Sequence, residues 1–211
     1  MASIGLPAAA QRVALATLST TARARLDRRT DRLPVLGEQA HVTAVLRLGE
    51  GIVPEIAVAD RHYVYPPASV HVTVSNLDTA TVDVDEAVDR LSRLTLAAPT
   101  FVVDKLGCSQ DTLFLRCVHD RPFDRLRVAV EDAFGVAAGR SPSSWLFRRL
   151  SFANIVRFDG RGEWSDITVA PVQVRCTTLE IVRTDRYLSP SGTTVLRRLE
   201  LRDEASGDSS T

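Results

Sequence analysis

Tyr65-Pro66-Pro67-Ala68-Ser69-Val70-His71-Val72-Thr73-Val74 is the stretch whose reading decides the fold. Two prolines in succession hold the chain extended and lead it into a strand predicted over 69–77. Side chains alternate across a strand, so His71 and Thr73 share one face while Val72 and Val74 enter the core. A proton carrier and a hydroxyl donor therefore stand side by side on a rigid floor. That pair suits phosphodiester chemistry, with imidazole moving the proton and the hydroxyl holding a phosphate oxygen. It is half of such a site, and the rest of the chain must supply the other half.

Outward from this strand, the pattern is one of clustered strands with few helices. An amphipathic helix is predicted over 8–33, with Leu15, Leu18, Ala22, Leu26 and Leu33 on one stripe and Pro34 as its stop. A strand follows over 40–48, and residues 55–61 form a weaker apolar stretch. A helix is expected over 83–97, capped by Asp83 or Asp85, with Val84, Val88, Leu91 and Leu94 as its stripe. Strands over 100–105 and 112–118 are joined by a hairpin loop at 107–111, and a helix over 122–134 ends at Gly135. A polar loop spans 139–144. Strands are then expected over 151–158, over a long stretch 172–184, and over 193–201. This order favours an α+β fold with antiparallel sheets and helices on the outer faces.

Composition narrows the function classes. The 211 residues are 45% hydrophobic and 25% charged, with a formal net charge of zero, so no global attraction to nucleic acid or anionic lipid exists. Lys105 is the only lysine, and arginine supplies the remaining positive charge in a form suited to carboxylate and phosphate. Cys108, Cys117 and Cys176 match no zinc spacing, and the last two read as buried thiols. No metal cluster, Gly-rich phosphate loop or other cofactor motif is present in the sequence. No segment has membrane-spanning length and the N-terminus lacks a signal-peptide pattern, so a soluble cytoplasmic protein without a membrane partner is the expectation.

Three passages taken in order resemble the two-histidine phosphoesterase superfamily, which includes RNA 2′,3′-cyclic phosphodiesterases and 2′–5′ RNA ligase-like proteins. They are Tyr65-Pro66-Pro67 with His71-Val72-Thr73-Val74; Leu106-Gly107-Cys108 to Leu115 with the helix after Asp120; and Leu179-Glu180-Ile181-Val182-Arg183 with Tyr187-Leu188-Ser189-Pro190-Ser191-Gly192. The resemblance covers 38–201 and implies a bilobal domain there; the periodic helix and its lead-in (1–37) precede it, and a polar tail (202–211) expected to be disordered follows. It also implies a central groove to which each lobe gives one His-x-Thr/Ser strand. One histidine acts as base and the other as acid, two hydroxyls grip the phosphate, and no metal is required. The implied ligand is a nucleotide or RNA terminus carrying a cyclic phosphate. No protein partner is predicted.

The second motif should lie near residue 151, where Ser151-Phe152-Ala153-Asn154-Ile155-Val156-Arg157-Phe158 contains no histidine. Either Ser151 and Ala153, or Phe152 and Asn154, take the His and Thr places. The second register is preferred, because the first would bury the Asn154 amide without an obvious partner. Asn154 then replaces a hydroxyl, and no proton carrier replaces the second imidazole. His71 and Thr73 are the expected catalytic residues, with Asn154, Phe152, Arg157 and Tyr65 as binding residues. By simple alternation Arg157 faces away from Asn154 unless a bulge intervenes. His41, in a second His-x-Thr (His41-Val42-Thr43), is a further candidate for the groove, although a strand-end histidine is the simpler reading. His62 and His119 are expected at the surface in connections. Arg148, Arg149, Arg183 and Trp145 complete the groove candidates. Three readings follow: a divergent phosphodiesterase, a binding module that keeps the groove without catalysis, or a scaffold whose groove has no phosphate role.

Overall fold

The computed structural model describes residues 41–54, 56, 58–60, 62–108, 112–136, 150–158, 169–185 and 187–203. The helix expected over 8–33, the polar loop at 139–144, and Trp145, Arg148 and Arg149 lie outside these. The strands are β1 (His41–Arg47), β2 (Tyr63–Val64), β3 (His71–Asn76), β4 (Thr100–Cys108), β5 (Thr112–His119), β6 (Leu150–Arg157), β7 (Val172–Arg175), β8 (Thr178–Thr184) and β9 (Thr194–Glu200). Among the described residues the α-helices are α1 (Val84–Ser92) and α2 (Arg121–Phe134). One sheet has the order β3-β1-β8-β9 and the other β2-β6-β5-β4-β7, with every neighbouring pair antiparallel. The architecture is the expected α+β one.

Local chemistry accounts for the helix limits. The Asp83 carboxylate accepts from the Asp85 amide at 2.8 Å and caps α1, with Asp85 and Glu86 in the first turn complementing its dipole. Asp120 caps α2 by accepting from the Phe123 amide. Gly135 ends it in the left-handed region (φ 64°), and Val136 N–H closes the turn on the Glu131 carbonyl at 2.9 Å. Helix α1 stops at Ser92, short of the expected 97, and Leu94 is left exposed.

Ala87 and Leu91 of α1 join Phe123, Leu126, Val130 and Phe134 of α2 in one contiguous core with Leu46, Val72, Phe101, Leu115, Ala153 and Ile155 of the two sheets. Cys117 and Cys176 are buried, and burial pushes each thiol up to about 12, so both are inert packing groups.

Three expectations need correction. The single long strand over 172–184 is two strands. The chain leaves the five-stranded sheet after Arg175 and enters the four-stranded sheet at Thr178. At the crossing Cys176 N–H bonds the Pro99 carbonyl (3.0 Å) and its thiol the Arg47 carbonyl (3.3 Å). Arg202, placed in the tail, is anchored: its N–H donates to the Leu96 carbonyl and its own carbonyl accepts from Ala98. His119, expected at the surface, is the last residue of β5 and is 3% exposed, packed between Phe101 and Phe123. Aromatic packing at the strand end, not solvent, decides its place.

Candidate active site

The two motif strands, β3 and β6, lie against each other where the sheets meet. In β3, His71 stands opposite Arg47 and Thr73 opposite Val45, so these four share one face. In β6, Ala153 and Ile155 are in the core (0% and 1% exposed), whereas Phe152 is 37% exposed and Asn154 half-buried. The strand thus has the register that puts Phe152 and Asn154 on the outer face.

A bulge in each strand strengthens that correspondence. Pairing jumps from Thr73 to Ser75 against β1, so Val74 is the extra residue. Pairing jumps from Asn154 to Val156 against β5, so Ile155 is the extra residue. Both are the fourth residue of their motif when His71-Val72-Thr73-Val74 is set over Phe152-Ala153-Asn154-Ile155. A bulge returns the following residues to the opposite face. Arg157 therefore shares the Asn154 face, correcting the alternation argument, and its Nη1 donates to Thr112 Oγ1 at 2.6 Å.

His71 is 6% exposed and its Nδ1 lies 2.8 Å from the Ser69 carbonyl. A carbonyl only accepts, so Nδ1 carries the proton and Nε2 is the basic nitrogen. Burial lowers the His71 pKa to about 4; the Ser69 bond opposes this and the Arg47 charge adds to it. The imidazole is neutral at pH 7 and suited to accept a proton. Thr73, on the same face, is exposed.

Arg47 is held in place by Glu180, which accepts from Arg47 Nε at 3.0 Å and from Arg198 Nε at 2.9 Å. Burial pushes the Glu180 carboxyl up, but the bonds from Arg198 and Arg47 outweigh it and leave the group below its usual range. The result is a row of two cations around one anion beside His71.

Tyr65 links the two halves. Its N–H donates to the Ile155 carbonyl at 2.9 Å, which extends the β2–β6 pairing, and its side chain is 1% exposed. Its ring lies 6.5 Å from that of His71, and its hydroxyl lies within reach of the Arg157 and Asn154 side chains, both of which face it as donors. Burial raises its pKa; the Arg157 charge and the two hydrogen bonds oppose this, and the Asp185 charge supports it. Tyr63 packs edge-on beside it at 5.1 Å, with Tyr187 a further 5.3 Å on, and burial pushes the Tyr63 phenol up to about 12.

Asp185 is buried, accepts from the Tyr187 and Ser189 amides (3.0 Å each) and from Ser189 Oγ, and shapes the turn that follows β8. Leu188 from that turn covers Val45 and Val182 in a small apolar cluster on the His71 face. Sequence reasoning does not single out Asp185, Tyr63, Thr112 or Phe114. Phe114 packs edge-on against Phe152 at 4.9 Å and lies over Gly107, where a Cβ would collide with its ring.

The remaining candidates lie elsewhere. His41 is six residues along β1 from Arg47, the partner of His71, or about 20 Å at the rise of a strand. Its Nδ1 is 2.6 Å from Asp78. Arg183 is exposed on β8, and His62 packs edge-on against Phe158 at 5.2 Å. Among the described residues no group of three His, Cys, Asp or Glu is placed to hold a metal ion, and no helix is long and apolar enough to cross a membrane.

Solved structures carry the same architecture. The chain matches TT0787 of Thermus thermophilus (18% identity, TM-score 0.51, 78% of this chain and 99% of that one). It matches a phosphoesterase (14%, TM-score 0.51, 77% and 99%) and E. coli LigT in complex with NADP+ (13%, TM-score 0.53, 78% and 99%). The chain shares the fold of these phosphoesterase and LigT structures. No family model and no curated protein matches its sequence.

Proposed function

We propose that this chain is a divergent two-histidine-type phosphodiesterase, acting on a 2′,3′-cyclic phosphate or a small nucleotide or RNA phosphodiester by side-chain acid/base catalysis. The observation that carries the reading is His71, a neutral imidazole locked in the Nδ1–H tautomer by Ser69, beside Thr73 and across the seam from Asn154 and Arg157. Nε2 of His71 takes a proton from the attacking water. Thr73, Asn154 and Arg157 hold the phosphate oxygens, and Phe152 with Phe114 offers an aromatic surface to a base. That E. coli LigT has been crystallised with ATP, NADP+ and 3′-AMP supports a nucleotide as the ligand class.

The test is turnover of 2′,3′-cyclic AMP. The wild type should hydrolyse it, His71→Ala should lose the activity, and His41→Ala should keep it. One observation favours the second reading, a nucleotide- or RNA-end-binding module: Phe152 stands where the resemblance expects an imidazole. Binding of 2′,3′-cyclic AMP with no turnover would establish that reading instead.

A further inference from the structure

We propose that Tyr65 is the second proton carrier of this site, giving its phenolic proton to the leaving ribose oxygen. The inference rests on the phosphodiesterase reading and supplies the acid which that reading lacks. Phe152 has no proton to give, and Asn154 can donate a hydrogen bond but cannot shuttle a proton.

The geometry singles out Tyr65. Tyr65 touches both halves of the site, with its ring 6.5 Å from that of His71 and its hydroxyl facing Asn154 and Arg157. Arg157 can only donate, so Tyr65 Oη accepts there. The Asn154 bond also lowers the Tyr65 pKa, so the amide donates to Oη as well, and the phenolic hydrogen is left for a ligand oxygen. A phosphate held by Asn154 and Arg157 is thereby one hydrogen bond from the phenol. Arg157 also meets a second need: when the phenol gives up its proton, the guanidinium faces the phenolate. The surroundings favour the protonated phenol beforehand, since Tyr65 is buried near Asp185.

The step balances. Water attacks phosphorus while His71 Nε2 takes one of its protons. The bond from phosphorus to one ribose oxygen breaks, and that oxygen receives the Tyr65 proton. The products are a phosphate monoester and a free ribose hydroxyl, with His71 protonated and Tyr65 ionised. Proton transfer from the imidazolium to the phenolate, through solvent, resets both. No oxidant, reductant or second substrate is consumed.

Steady-state kinetics on 2′,3′-cyclic AMP test the assignment. Tyr65→Phe keeps the ring and removes the proton, and kcat should fall by about 10²–10⁴-fold with KM within about threefold. Replacement of Tyr65 by 3,5-difluorotyrosine, a more acidic phenol of similar shape, should move the basic limb of the kcat–pH profile to lower pH. A merely structural tyrosine would leave that limb where it is. Full kcat in Tyr65→Phe, or an unmoved limb in the fluorinated protein, would overturn the proposal while loss of turnover in His71→Ala still supported the enzyme. No turnover by the wild type would overturn both.

Discussion

The rings of Tyr65 and His71 lie 6.5 Å apart at a tilt of 58°, one on each side of the seam between the sheets. The contact helps bury an imidazole that already spends its Nδ1 proton on the Ser69 carbonyl. A histidine so enclosed resists protonation, and this has a consequence for the whole fold.

In the folded protein His71 has a pKa of about 4, against 6.5 ordinarily, so between these values the unfolded chain binds more protons. The stability it protects is intact above pH 6.5 and is lost as pH falls toward 4. The slope from this one residue is at most about 1.4 kcal/mol per pH unit. His71→Asn keeps a donor for the Ser69 carbonyl but has nothing to titrate. Urea denaturation of both proteins from pH 7 to 4 should show their difference shrinking as acid is added. Parallel curves would mean that His71 protonates freely in the folded state.

The matched bulges carry the next expectation. Val74 and Ile155 occupy the same motif position, which puts Phe152 where His71 stands in the other lobe. Phe152→His should therefore present an imidazole to the same groove. In a Tyr65→Phe background, which lacks the proposed acid, this change should restore turnover of 2′,3′-cyclic AMP by at least about tenfold, within the range a positioned acid supplies. Ser151→His, on the core face, should give no rescue and should destabilise the fold, since Ser151 is 7% exposed.

How much of this is legible in the sequence differs from residue to residue. His71-Val72-Thr73-Val74 announces its strand because strict alternation and the paired prolines are local signals. The helix caps at Asp83 and Asp120, and Gly135 after α2, are equally legible. The bulges are not, because an extra residue in one strand is defined only by its partner, and alternation alone therefore puts Arg157 on the wrong face. The break at Cys176 is hidden for a similar reason: Val172–Arg175 and Thr178–Thr184 share one β-rich composition but pair in different sheets. Asp185 escapes notice because nothing local tells a buried turn carboxylate from a surface one. Tyr65 reads as a rim aromatic, and its link to Asn154 and Arg157 emerges only when the two sheets are brought together.

Glu180 provides a test of the groove floor itself. It is 7% exposed and receives Arg47 and Arg198, so its charge is shared between two bonds rather than left to solvent. Charge-assisted bonds of this kind are worth more than exposed ion pairs, which contribute little. Glu180→Gln keeps the shape but removes the charge and one acceptor, and should lower unfolding stability by about 1–3 kcal/mol. Denaturant melts at low and high salt distinguish the cause. The loss should persist in high salt if it reflects a buried, hydrogen-bonded carboxylate, and should vanish there if the pair is only a screened surface contact. Arg198→Ala, at the exposed end of the row, should cost less than Arg47→Ala. Arg47 also donates toward the Ala68 carbonyl at 3.4 Å, and so ties β1 to the chain that leads into His71.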